Sequence, residues 1–195
     1  MRYLILLLAL TLGFARLSAQ VSGYGLSEYQ YGNLPGERPK DLSTLYNQLN
    51  ISYKQGNVRL AGRFETFHSM AFTDSNYVRP TQLSFQYKKD NFSFTLGNFY
   101  ETLGKGLLLR TYEITGSIFE TRAERVRYAF LRDLRGAHGV YSSKYFEIKA
   151  LRGKMLDTYF APINQEEARR NDFVEAIDVK GNYKGQSHWV NCNEA

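Results

Sequence analysis

Apolar and polar residues alternate with period two in several short segments of the chain. In residues 45–54, one face is apolar apart from Asn47 and carries Leu45, Leu49, Ile51 and Tyr53. The other face is mainly polar and carries Tyr46, Gln48, Asn50, Ser52 and Lys54. Because successive side chains of a β-strand point to opposite sides, this alternation predicts a strand with two unlike faces.

Tight turns join such segments into predicted hairpins. Gln55-Gly56-Asn57 precedes a segment that sets Val58, Leu60 and Phe64 against Arg59, Arg63 and Glu65. Lys89-Asp90-Asn91 lies between the alternating segments 82–88 and 92–97, and Ser142-Ser143-Lys144 precedes 146–150. Gly, Asn, Asp and Ser are residues that tight turns favour, so three hairpins are predicted.

The connections alternate between short and long. Turns at 55–57, 89–91 and 142–144 are tight, whereas the polar stretches 33–43, 68–80, 100–135 and 153–171 are long. Outer-membrane barrels have short periplasmic turns, long outward loops, and strands with apolar side chains toward lipid. The region from Val21 to Val179 holds about eight strands of suitable length. We therefore predict an all-β antiparallel meander of about eight strands, forming an outer-membrane β-barrel or the N-terminal portion of a larger one.

The first residues predict export. Arg2 precedes an apolar run from Leu4 to Leu12, and the small residues Ser18 and Ala19 follow. This order is typical of a cleaved signal peptide, and the run is too short for a membrane helix. We predict a signal peptide at 1–19 and an antiparallel β-barrel domain at 20–195. The polar end, 188–195, does not resemble a closing strand, so this domain is expected to be C-terminally incomplete.

Composition agrees with a protein of the Gram-negative cell envelope. Aromatic residues make up 15% of the chain, with 15 Tyr and 13 Phe, as suits strands and membrane girdles. Loss of Arg2 and Arg16 with the leader lowers the formal charge from +6 to +4, which gives little support for nucleic acid as a partner. Cys192 is the single cysteine, so no internal disulfide forms. The predicted partners are outer-membrane lipid and, as further candidates, other envelope proteins.

A candidate site lies in the stretch from Gly97 to Glu113. Gly104 and Gly106 precede the apolar run Leu107–Leu109, which would leave apolar area in water on an exposed loop. One hypothesis is that the loop after Phe99 folds into the barrel and packs its leucines on the wall. A lumen constriction would then be lined by Glu101, Lys105, Arg110 and Glu113. The alternative is a plain strand from Leu107 to Tyr112 with solvated charges.

Two regions of the sequence leave structure or chemistry open. Residues 116–135 contain alternating Val126, Tyr128 and Phe130 among many charges, so both a strand and a loop helix are possible. Neither the histidine spacing nor Gly104-Lys105-Gly106 matches a metal or phosphate-loop motif, and no Gly-x-Ser-x-Gly elbow occurs. We expect no catalytic, cofactor-binding or metal site, and no enzyme activity.

The stretch from Gly97 to Glu113 resembles the signature segment of an uncharacterised family of exported outer-membrane β-barrel proteins from gliding and gut-type Gram-negative bacteria. Ser22–Gly25 and Tyr145–Lys154 resemble the same family. The resemblance covers most of the mature chain and implies a longer parent protein, of which this chain would be the N-terminal part. Arg122 to Arg135 and the last dozen residues match poorly, and the family supplies no established activity.

The sequence therefore leaves two main functional hypotheses. The first is an outer-membrane β-barrel of unknown specific role, a porin-like pore or a surface assembly component, located in the cell outer membrane. The alternative is a soluble periplasmic or secreted β-domain that binds a sugar or another small ligand through a Tyr-rich face. An exported lipid hydrolase would be a third class, but it lacks a recognisable site.

Overall fold

The computed structural model of the protein describes residues 20–33, 41–71, 76–120, 126–156, 169–183 and 186–192. Strands account for most of these residues, and no α-helix occurs among them. The prediction of an all-β antiparallel fold is therefore confirmed. The leader predicted at 1–19 and parts of four predicted connections, at 34–40, 72–75, 121–125 and 157–168, lie outside the described residues.

Nine strands form one sheet in which all neighbours are antiparallel. They are β1 (Gln20–Asn33), β2 (Asp41–Gln55), β3 (Val58–Ser69), β4 (Tyr77–Lys89), β5 (Phe92–Phe99), β10 (Leu134–Ser142), β11 (Phe146–Leu156), β12 (Arg169–Tyr183) and β13 (Gln186–Cys192). The sheet order is β1-β2-β3-β4-β5-β10-β11-β12-β13, a meander with one interruption. Among the described residues β1 pairs only with β2 and β13 only with β12, so closure into a barrel stays a prediction.

The interruption is an insertion between β5 and β10, residues 100–133, which we call the insertion. Its first hairpin pairs β6 (Thr102–Leu103) with β7 (Leu109–Arg110) around a 3₁₀ turn at Gly104–Gly106. Its second hairpin pairs β8 (Tyr112–Glu120) with β9 (Arg127–Arg132). Neither hairpin joins the main sheet.

Short connections lie at one end of the strands and long connections at the other end. Gly56–Asn57 joins β2 to β3, Asp90–Asn91 joins β4 to β5, and residues 143–145 join β10 to β11. Gly56 and Asp90 adopt positive φ angles of 54° and 48°, which tight hairpin turns require. The predicted turns and their alternation with long connections are confirmed.

Side chains of the sheet divide into an outer and an inner face, as the alternation predicted. The register places Leu49 of β2 beside Phe64 of β3, and Leu60 of β3 beside Phe85 of β4, on the outer face. The outer face also carries Leu45, Ile51, Leu83, Phe92, Leu96, Phe146, Ile148 and Ile177, and all of these apolar side chains are at least 37% exposed. The inner face carries the buried polar side chains Thr44, Gln48, Arg63, Glu65, Thr95, His138 and Asp178.

The structure defines the elements of three segments that the sequence left open or described differently. Residues 116–135, left open between strand and helix, contain β8, β9 and the start of β10, and no helix among those described. The polar stretch 33–43 is partly strand, because β2 already begins at Asp41. The polar C-terminal segment forms a strand that pairs with β12 over Gln186–Cys192, and whether a further strand closes the domain stays a prediction.

Gly97 marks the point where the chain leaves the sheet. Pairing of β5 with β4 ends at Gly97 opposite Ser84, whereas pairing with β10 continues to Phe99. Gly97 has a φ of +91°, and a Cβ there would lie 2.2 Å from the carbonyl oxygen of Leu83. Beyond Gly97 a side chain takes the place of the next backbone hydrogen-bond acceptor, because the Asn98 Oδ1 accepts from the Leu83 N–H at 2.8 Å. Only glycine fits this position without displacing β4.

We expect Gly97→Ala to lower the free energy of unfolding by about 1–3 kcal/mol. The substitution would force a residue with a Cβ into a positive-φ conformation and bring that Cβ into a clash with the Leu83 carbonyl oxygen. Gly139→Ala on the adjacent strand β10 is the matched control, because a Cβ at Gly139 meets nothing within 4 Å. The control should be neutral or stabilising by under about 1 kcal/mol. Urea unfolding in detergent micelles measures both, and equal losses would show that strand glycines in general, rather than this departure point, matter.

Candidate functional site on the inner face

The insertion packs on the inner face of the sheet, near the end of the strands that carries the long connections. Its second hairpin contributes Val126 to an apolar cluster with Tyr46 of β2 and Phe67 of β3, all at most 2% exposed. Its first hairpin contributes Leu103 to another cluster with Phe99, Leu134 and Leu151. Both clusters are small, so polar contacts carry much of the remaining attachment.

One polar group joins Glu113 of β8 to the first half of the sheet. Its carboxylate forms an ion pair with Arg63 of β3, whose side chain is 4% exposed against 15% for Glu113. The Arg63 Nε also donates to Asn50 Oδ1 at 2.7 Å. Tyr100 donates its hydroxyl to the second Glu113 oxygen at 3.0 Å. Burial raises the pKa of the Tyr100 hydroxyl, and the Glu113 carboxylate raises it further, so the hydroxyl remains a donor.

Glu101 forms a corresponding group with the second half of the sheet. Its two carboxylate oxygens contact Lys149 Nζ at 2.7 Å and His138 Nε2 at 3.1 Å. The His138 ring stacks on Phe99 with centroids 5.3 Å apart. Glu101 and Glu113 therefore tie the start of the insertion to strands on both sides of it.

The other two residues of the predicted constriction lie elsewhere. Lys105 is exposed in the 3₁₀ turn with a φ of +57°, and Arg110 is exposed with its guanidinium 5.8 Å from the Tyr112 ring centre. The structure thus brings Glu101 and Glu113 to the inner face and leaves Lys105 and Arg110 on the surface of the insertion. Whether any of the four lines a conducting lumen stays a prediction.

The run Leu107–Leu109 does not show the packing that was predicted for it. Leu107 is 92% exposed and Leu108 is 47% exposed, so these two side chains do not pack on a wall. Leu109 is half-buried and packs beside the cluster of Phe99, Leu103, Leu134 and Leu151. The alternative of one strand from Leu107 to Tyr112 is also wrong, because Thr111 separates β7 from β8.

Two attachment points of the second hairpin were absent from the sequence-based site. Arg127 pairs with Glu28 of β1 at 2.7 Å and with Glu120 of β8 at 3.4 Å. Glu65 of β3, 1% exposed, accepts from the Ala129 N–H at 3.2 Å and from the Thr81 hydroxyl at 2.7 Å. Alternation did place Glu65 on the polar face, but the partner is distant in sequence and no local signal identifies it.

The comparisons with known proteins show a family without a function. The chain matches the family of unknown function DUF6029 over residues 16–166. It belongs to that family. No curated protein and no solved structure matches this DUF6029 chain.

Two kinds of feature are absent from the described part of the chain. No helix there is long and apolar enough to cross a membrane. No group of three or more His, Cys, Asp or Glu side chains there is placed to hold a metal ion.

We expect Glu113→Gln to destabilise the fold by about 3–5 kcal/mol, because it leaves the Arg63 charge buried without its partner. The matched control is Glu175→Gln, which breaks the pair with Arg152 at 2.9 Å, where both side chains are more than half exposed. That change should cost less than about 1 kcal/mol. Unfolding by urea compares the two variants, and a Glu113→Gln cost as small as the control would mean that the insertion is not anchored through this pair.

Proposed function

We propose that this protein is an outer-membrane β-barrel component whose strands cross the bilayer, with a non-enzymatic role as a pore or in surface assembly. The observation that supports it best is the distribution of side chains across the sheet. Large apolar side chains cover the exposed outer face, while charged and polar side chains such as Arg63, Glu65 and Asp178 are buried on the inner face. Soluble proteins have the opposite arrangement.

The extent of the outer apolar face argues against a water-exposed sheet. Exposed Leu, Ile and Phe side chains run without interruption from β2 through β5 and appear again on β11 and β12. Monomeric soluble proteins rarely expose apolar patches larger than roughly 300–600 Å². Lipid would cover this face, at about 25 cal/mol for each Å² removed from water.

Strand length and connection length agree with the same proposal. β1 to β4 contain 14, 15, 12 and 13 residues, and a tilted membrane strand needs about 9–11. Short turns at one end of the strands and long connections at the other end match the periplasmic and outward ends of such proteins. The insertion would then lie inside the barrel and narrow it near the outward end.

We expect a tagged protein to fractionate with the outer membrane and to need detergent for extraction. The reason is that the outer face has no other apolar surface to cover it among the described residues. Recovery in the soluble periplasm without detergent would reject the membrane proposal. The alternative of a secreted or periplasmic β-domain that binds a sugar would then lead.

A depth-dependent substitution provides a second test. We expect Phe64→Arg, on the outer face midway along β3, to lower the stability of the lipid-inserted protein by about 2–4 kcal/mol. Tyr145→Arg is the control, because Tyr145 is 68% exposed in the short turn between β10 and β11. Near an interface such a change should cost at most about 1 kcal/mol.

Unfolding in lipid vesicles measures both variants. If Phe64 faces water instead of lipid, its replacement by Arg should change stability by less than about 0.5 kcal/mol, as surface substitutions usually do. That result would contradict membrane insertion of this face.

A further inference from the structure

Three basic side chains lie together on the inner face, near the end of the strands that carries the short turns. They are Lys54 at the end of β2, Arg59 at the start of β3 and Lys88 near the end of β4. Lys54 lies directly opposite Arg59, and Arg59 lies opposite Gln86. Lys88 is two residues further along β4, where its N–H donates to the Asn57 carbonyl at 2.8 Å. Adjacent strands thus bring the three cations to one end of the sheet.

These cations line a concave cavity of about 440 Å³. Ser52, Asn57 and Gln86 line it as well and supply neutral hydrogen-bond donors. No Asp or Glu contributes to its lining among the residues described. The cavity is therefore open, polar and positively charged.

The pairing of these cations contrasts with that of other inner-face cations. Arg63, Arg127 and Lys149 each have a carboxylate partner. Lys54, Arg59 and Lys88 have no ion-pair partner within 4.0 Å in the described part of the chain. Like charges directly opposite one another on a sheet destabilise it, so the Lys54–Arg59 pair has an electrostatic cost. A bound anion would offset that cost.

We infer that this cavity, formed by Lys54, Arg59 and Lys88, is a binding site for a small solute that carries a phosphate or carboxylate group. The guanidinium can hold two oxygens of such a group in a fork, while each ammonium acts as a point charge. Ser52, Asn57 and Gln86 can donate to the remaining oxygens. The inference depends on the sheet and its turns, and it holds whether or not the outer face meets lipid.

Inorganic pyrophosphate is a suitable probe, used at constant ionic strength in maltoside micelles, whose headgroups contain no phosphate. We expect pyrophosphate to raise the unfolding midpoint in a saturable way, because it binds the folded protein. Spermidine at equal charge concentration should not raise the midpoint. A midpoint that rises with spermidine as well, or that does not respond to pyrophosphate, would overturn the inference.

Single substitutions localise the site. Lys54→Gln and Lys88→Gln should each weaken pyrophosphate binding about fivefold, the effect of losing one cation at contact distance in water. Lys89→Gln is the matched control, because it removes the same charge from the next residue of β4, which points to the outer face opposite Phe92. The control should bind pyrophosphate like the unmodified protein. Equal weakening by Lys88→Gln and Lys89→Gln would indicate attraction to net charge alone and would overturn the site.

Lys54→Gln has a second readout that a solvated surface lysine would not give. It relieves the repulsion from Arg59, so we expect a higher unfolding midpoint than that of the unmodified protein in anion-free buffer. The order should reverse, or the gap close, at saturating pyrophosphate. A variant that is less stable without anion would show that Lys54 has a structural partner, which contradicts the proposed role.

Discussion

A charge that is removed from water needs an opposite charge or a hydrogen-bond partner, and this constraint determines how the insertion sits on the sheet. The inner face presents Arg63 and Glu65 on β3, both almost completely buried. Each would be costly if buried alone. The insertion supplies Glu113 to one and the Ala129 N–H to the other. Two further ion pairs attach the insertion to the sheet. Arg127, at the start of β9, pairs with Glu28 of β1, and Glu101, which precedes β6, pairs with Lys149 of β11.

The same constraint explains why the apolar clusters of this protein can be small. In a soluble domain the buried face of a sheet is apolar and supplies most of the stabilisation. Here the buried face holds two short clusters around Val126 and Leu103, and the extended apolar surface lies outside. Backbone hydrogen bonds along nine antiparallel strands hold the sheet itself. The environment of the outer face therefore decides how much of the apolar area contributes to stability.

Sequence reasoning succeeded where the signal was local and failed where it depended on distance. Turns at Gly56–Asn57 and Asp90–Asn91 could be predicted because turn residues and period-two alternation lie within a few positions of each other. The Arg63–Glu113 pair joins residues 50 apart, and its geometry depends on a path that only the folded insertion defines. The leucine run misled because burial was argued for the whole run, whereas Leu109 packs against a buried cluster and Leu107 and Leu108 are exposed. Of the four candidate constriction residues, Glu101 and Glu113 pair with cations of the inner face whereas Lys105 and Arg110 are exposed, and a constriction stays a prediction.

The two ends of the inner face differ in charge balance, and this difference separates structural charges from available ones. Toward the long connections, carboxylates from the insertion neutralise the cations of the strands, so those charges are committed to holding the hairpins. Toward the short turns, the described part of the insertion contributes no residue to the cavity that Lys54, Arg59 and Lys88 line, and no carboxylate among the described residues lines it. A solute that approached from the short-turn end would meet hydrated cations first, and the paired groups only beyond them. Binding and occlusion would then occur at different depths of the same face, each served by its own set of side chains.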